Sequence, residues 1–379
     1  MHFGNSKCFH KVIEEIKFLS NTGIDIYDAK NNKNRVYFVV IALLGDNLDL
    51  NSLLGFNESF ISEYFCRFCR APKCVTRCAK FENPNLLRTF ENYALDIANF
   101  SHGLKENCVF NEIPHFDCTT NYTCDIMHDL FEGVCRYDLA RIIQHFVYKN
   151  YVTLVHLNYR IKYFNHQSDF DRGNKIPLIR SNHINKGYLI MSATEMSALV
   201  CYLSFIIGDL VPDCKVWDFY LTLCKIIKIS TENIISDDQV NYLRYLISSH
   251  HEMFMRLFKE ELKPKFHFMI HYPGIIRKMG PLKYLSSIRY EGFHKLSKTY
   301  ASIVTSRKNI ILSLAIKLQL QFCYRLLIKK GLDDSLKVGK DIKIASIEST
   351  NVSQSFSKNE YLTEVSWIRF NNILFKVIL

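Results

Sequence analysis

The chain has 379 residues, 48% of them hydrophobic and 22% charged, a balance that excludes a disordered chain and allows one large domain or two to three smaller ones. A formal charge of +11 and a pI ≈ 8.9 favour polyanionic partners without requiring one. The thirteen cysteines are odd in number and unevenly spread, and "MHFGNSKCFHKVIEEIKFL" lacks the uninterrupted apolar core of a secretory signal. A reducing compartment is expected, with thiols free or on metal.

In chain order, "CFHKVIEEIKFLS" (8–20) repeats Val12, Ile13, Ile16 and Leu19 at helical spacing and predicts an amphipathic helix. Ile24 and Ile26 flank Asp25 in a strand pattern. After the polar turn "KNNKN" comes the β-branched run "RVYFVVIALL", which predicts a hairpin whose second strand is fully buried. That run stops at "GDNL". Either Gly45 and Asp46 make a turn after a buried strand, or Asp46 is a carboxylate held at a strand end as a hard oxygen ligand for Mg²⁺.

Between residues 63 and 135 strand signals fade and eight cysteines gather: Cys66, Cys69, Cys74, Cys78, Cys108, Cys118, Cys124 and Cys135. Cys66-x2-Cys69 has the spacing of a zinc knuckle. Cys74 and Cys78 could complete it, or a second pair could come from Cys108, His115, Cys118, Cys124 or His128; buried free thiols are the plainer reading. From about 125 to 260 the patterns are helical. In "CDIMHDLFEGV" (124–134), Asp125, His128, Asp129 and Glu132 fall on one helical face, opposite Ile126, Leu130 and Val134. That face is either chemical or merely solvated. "SATE" (192–195) and "SDDQ" (236–239) read as capping boxes. "ALVCYLSFIIG" (198–208), taken as the longest apolar stretch, is too short to span a bilayer and predicts a buried helix.

Pro264, Pro273 and Pro281 punctuate a compact segment. His267 and His271, four apart, could chelate, but among aromatic neighbours they read better as structural histidines. A helical run over 289–328 carries Glu291, His294, Lys295 and Lys298 on one face and Phe293, Leu296 and Tyr300 on the other. This suits a metal ligand beside phosphate-binding cations, or an i,i+4 ion pair of Glu291 with Lys295. A polar tail and the strand-like "VSWIRFNNILFKVIL" follow. No internal repeat is present.

Seven stretches taken together resemble the transposases of CACTA-type DNA elements of animals, within the DDE transposases. They are "LLGDNLDLNSLLGF", "FCRFCR", "CDIMHDLFEGVCRYDL", "LNYRIKYF", "MSATEMSALVCYLSFIIGDLVPD", "LKPKFHFMIHYPGIIRKMGPLKYLSSIRYEGFHKLSK" and "SRKNIILSLAIKLQLQF". The resemblance implies an α/β fold, mostly α by residue count: a partial RNase H-like core interrupted by a large helical insertion. Residues 1–62 would be a remnant of the core strands and 63–124 a Cys-rich segment. Residues 125–262 would be the insertion, 263–330 the return to the core with the Glu-bearing helix, and 331–379 a polar linker with a strand-like end.

The resemblance implies Asp46 and Glu291 as catalytic ligands of Mg²⁺ or Mn²⁺, and Cys66 and Cys69 as the Cys-x2-Cys, a candidate Zn²⁺ pair. Asp125 and His128 match a (Cys/Asp)-x2-His signature, and Arg289 and Tyr290 the context of the Glu. Arg289, His294, Lys295 and Lys298 would face DNA. The implied partners are transposon-end DNA and further copies of the chain, with no membrane, and the implied residence is nuclear. The family's first catalytic Asp has no matching context: Asp25 and Asp28 lie in the hairpin leading into "GD". The chain therefore reads as an internal fragment. As such it is expected to be inactive in strand transfer, because a two-metal site needs three acids. A non-enzymatic, zinc-stabilised module that binds DNA or protein is the alternative.

Overall fold

The computed structural model describes residues 4–27, 30–165, 175–305 and 308–328, and five short strands after them. The chain divides into two compact units, residues 1–165 with 174–290, and residues 166–173 with 291–379, each taken here by itself.

The first helix, α1 (Asn5–Asn21), is the amphipathic one expected. It buries Ile13 and sets Phe9 against Phe110 at 5.2 Å. Strand β1 (Ile24–Tyr27) then pairs antiparallel with β2 (Lys33–Val36), Ile24 opposite Val36. The hairpin is as expected, but its second strand is not buried. Lys33, Asn34 and Arg35 are exposed, pairing ends at Val36, and Tyr37, Val39 and Ile41 stand 58%, 57% and 71% exposed. Burial on both faces requires neighbours on both sides of a sheet. Among the described residues this sheet has two strands and no third. The run is anchored further on, where Leu43 forms a parallel bridge with Tyr122.

The chain next turns into α2 (Asn47–Leu53) and enters the Cys-rich stretch, which holds only short elements. These are α3 (Lys73–Thr76), α4 (Phe90–Ala98, with a Thr89 capping box) and 3-10 turns. A π-helix, Met127–Val134, runs straight into α5 (Cys135–Tyr148). Then come α6 (Leu154–Tyr163), α7 (Ser181–Lys186), α8 (Ala193–Ile207), α9 (Lys215–Ser230) and α10 (Asp237–Phe258). Both expected capping boxes are present, on Ser192 with Glu195 and on Ser236 with Gln239. α8 is the buried helix expected over 198–208.

Helices α5, α8, α9 and α10 enclose the core, in which Phe146, Phe219, Leu223 and Phe254 are fully buried. Two short helices, α11 (Pro264–Met269) and α12 (Tyr272–Met279), follow, each with a proline in its first turn, where its missing N–H costs nothing. α11 packs on the π-helix and α12 on α10.

Helix α13 (Ile288–Ile303) crosses from the first unit into the second. In the second unit α14 (Ile310–Leu327) is largely apolar, with a polar stripe of Ser313, Lys317, Gln321 and Arg325 and with Ile311 and Leu327 about four-fifths exposed. By length and composition it could cross a membrane, and it is the one such helix among the described residues. It lies in the helical run expected over 289–328 and is longer than the apolar stretch at 198–208. Short strands follow: β3 (Leu336–Val338), β4 (Asp341–Ile342), β5 (Glu364–Val365), β6 (Trp367–Phe370) and β7 (Ile373–Lys376). They form a three-stranded sheet, β3-β6-β7, and a pair, β4-β5. The end is thus strand-forming as read, while most of the polar tail, 343–363, lies outside the described residues. The molecule is mostly helical with small sheets.

Candidate metal centre

Cys66 and Cys69 lie in a loop held by its own backbone. Arg70 N–H donates to Leu86 O at 2.8 Å and Arg88 N–H to Phe68 O at 3.0 Å, a short antiparallel clasp. Arg88 adds Nη2 to the Cys66 carbonyl at 2.9 Å. Arg67, fully buried, reaches the other way to Asn47 Oδ1 and Thr123 O at 2.7 and 2.8 Å. With the loop pinned at its carbonyls, both thiols point inward at α11 and α12.

There they meet His267 and His271. Proline starts a helix at 264 and again at 273, so the two imidazoles sit one turn apart on almost continuous helix. Cys69 Sγ is 3.2 Å from His267 Nε2 and Cys66 Sγ is 3.6 Å from His271 Nε2. All four donor atoms lie within 4.8 Å of one another, and all four residues are buried. A tetrahedron with Zn–S of about 2.3 Å and Zn–N of about 2.0 Å separates S from N by about 3.5 Å, so this donor set fits that cation. Four protein ligands also close the coordination shell, as in structural rather than catalytic sites.

The four groups perturb one another strongly. Burial opposes a thiolate at Cys66, but the Cys69 thiol and the two imidazoles outweigh it and hold Cys66 well below the ordinary thiol value. Cys66 in turn pushes Cys69 up, with burial adding to it. Burial depresses His267. At His271 burial is overcome by Cys66 and Glu82, which raise it to about 9.

Two assignments made from sequence change here. Cys74 and Cys78 are exposed and take no part. The groups that face Cys66 and Cys69 are neither Cys108, His115, Cys118, Cys124 nor His128, but His267 and His271, whose aromatic neighbours favour a structural reading from sequence. Phe266 and Phe268, on the same helix as His267, are fully buried core residues.

The acidic residues lie nearby in a different state. Asp46 caps α2, its Oδ1 accepting from Asp49 N at 2.7 Å. The face expected at Asp125, His128, Asp129 and Glu132 is not a solvated stripe. Asp125 and Asp129 are buried, as are Ile126, Leu130 and Val134, because the wider π-helix is packed around most of its circumference. Asp125 accepts from Ser286 Oγ at 2.9 Å, from Ser287 N at 3.1 Å and Oγ at 2.5 Å, and lies 2.6 Å from His128 Nδ1. Burial works against its charge, yet these partners keep Asp125 below the usual carboxylate value. Asp129 accepts from Asn47 Nδ2 at 2.5 Å, and burial raises it to about 6 despite Arg67 and Asn47. Lys265 Nζ donates to the His128 carbonyl at 2.7 Å. Asn47, Arg67 and Lys265 were not singled out from sequence; each lies within two residues of one that was.

Glu291 and His294 are exposed on α13, and the Lys295 side chain lies outside what is described. Asp46 belongs to the first unit and Glu291 to the second. No protein-family model matches the chain, and no curated protein matches it either.

Proposed function

We propose that this chain is a transposase-derived, zinc-stabilised module that acts on DNA. Its structural zinc is held by Cys66, Cys69, His267 and His271. The observation that carries the zinc reading is the convergence of these four buried donors within 4.8 Å. Bound there, zinc would tie the loop at 66–69 to α11 and α12 and contribute folding free energy directly. The transposase reading is supported by contact among the stretches that carry the resemblance. Asn47 of "GDN", Arg67 of "FCRFC" and Asp129 of "DIMHD" share one buried network. Asp125 of "DIMHD" and the serines of "YLSSIRYEG" share another.

In this reading the strand run before Asp46 and the helix bearing Glu291 derive from an RNase H-like core, and Asp46 and Glu291 are its acidic pair for Mg²⁺. Arg289, His294, Lys295 and Lys298 face phosphates, and the protein works in the nucleus. No strand transfer is assigned to this chain alone, since the third carboxylate of a two-metal site has no counterpart among the matched motifs. The test uses the purified chain. Stoichiometric zinc lost in Cys66→Ser, together with DNA binding that weakens steeply with salt, is expected. Absence of zinc refutes the centre. Salt-insensitive binding, or none, refutes the DNA reading and leaves a protein-binding module. Nicking or joining of a transposon-end duplex with Mg²⁺ refutes the assignment of inactivity.

A further inference from the structure

The two histidines of the centre are not held alike. His271 donates Nδ1–H to Glu82 Oε2 at 2.6 Å, across 189 positions of sequence. His267 Nδ1 is buried with no protein hydrogen-bond partner. The Glu82 contact is accommodated by its surroundings. Glu82 lies over the first turn of α12, where a Cβ at Gly274 would stand in ordinary contact with its carboxylate oxygens, at 3.4 and 3.5 Å. The ring of Phe68 stacks on His271 with centroids 4.9 Å apart and fixes its plane. Glu82 and His271 both line a cavity of about 370 Å³ beside the centre.

An imidazole ligates a metal through one nitrogen, and a carboxylate on the other nitrogen fixes its tautomer and raises its basicity. We propose that Glu82 is the positioning residue of the metal centre: it commits His271 to the Nδ1–H tautomer, presents Nε2 to the cation, and makes His271 the tighter of the two histidine ligands. This deepens the zinc reading and rests on it.

The test measures zinc affinity of the full chain by competition with a chromophoric chelator, for wild type, Glu82→Gln and Glu82→Ala. Cobalt substitution reports the ligand set through its d–d absorption. Glu82→Ala is expected to weaken zinc roughly 10–100-fold. Glu82→Gln, which keeps an acceptor but not the charge, is expected between the two. The far-ultraviolet circular dichroism of the zinc-saturated chain should stay unchanged and the cobalt spectrum should still report two sulfurs and two nitrogens. Affinities for both variants within twofold of wild type overturn the proposal. So does an affinity loss in a variant whose zinc-saturated fold or cobalt ligand set departs from wild type, which would make Glu82 a general structural contact. A wild-type chain that takes up no zinc is a different result, because it removes the centre itself.

Discussion

The Cys66–Cys69–His267–His271 cluster and the carboxylates of Asp46, Asp125 and Asp129 are both polar sets at the heart of the sequence motifs, and both lie in the first unit. They differ in where their lone pairs go. Asp125 accepts from two serine hydroxyls and two backbone N–H groups, with His128 against it, and Asp46 accepts from its own helix; Asp129 stands between the two sets, one oxygen accepting from an asparagine and the other buried without a partner. In the Cys/His cluster the near neighbours of each donor atom are the other donors. A polar group that the protein already satisfies is structural in the fold as it stands, whereas convergent donors facing one another call for a cation.

Removing that cation should produce the largest effect. Structural zinc contributes about 10–16 kcal/mol of apparent binding free energy. Chelation, or Cys69→Ser, should therefore collapse the cooperative thermal transition of the first unit. An unchanged transition with metal verifiably absent would place the cluster with the satisfied groups and break the contrast.

His251 sharpens the comparison as a buried imidazole satisfied by protein, lying 2.9 Å from Phe266 O. Burial, with His250 beside it, depresses its pKa to about 3. It stays neutral in the fold while the unfolded chain protonates near 6.5. Its contribution is thus fully present above about pH 6.5 and is lost as pH falls toward 3, by roughly 4–5 kcal/mol over that window. Urea unfolding of His251→Asn across this range, at matched zinc occupancy, should show a flatter dependence on pH than wild type. An equal slope would assign the acid sensitivity elsewhere.

Asp125→Ala should cost about 3 kcal/mol, because it leaves Ser286, Ser287 and His128 without their buried acceptor, while zinc content stays at the wild-type level. Lost zinc in this variant would show that the two sets are one. The smallest effect belongs to Asp46. Asp46→Ala should cost about 1 kcal/mol as a lost helix cap, and Asp46→Asn a few tenths at most. The same pair tests the catalytic proposal. A Mg²⁺-induced rise in melting temperature present in wild type and absent in Asp46→Asn would make the carboxylate a metal ligand as well as a cap.

Much of the local structure was legible in the residues. Ser192 and Ser236 open their helices with the glutamate and glutamine three positions on, and α1 follows its apolar spacing. The β-branched run misled because its hydrophobicity was read as burial. Tyr37, Val39 and Ile41 carry the pattern of a central strand but have no sheet around them. Of the two readings of the face at 125–132, the solvated one fails, because Asp125 and Asp129 are buried beside and within a π-helix whose burial a period of 3.6 does not describe.

The residues alone determined what depends on near neighbours: the caps, the hairpin, a helical majority and a two-cysteine knuckle in search of partners. Only the tertiary structure decided which partners those are. Cys66 and His271 are 205 positions apart and Cys69 and His267 are 198 apart, distances over which no periodicity survives. Their meeting depends on α11 and α12 packing beneath a loop that Arg67, Arg88 and a short backbone clasp hold in place. That is a property of the assembled core, because each contact exists only once elements remote in the chain have been brought together.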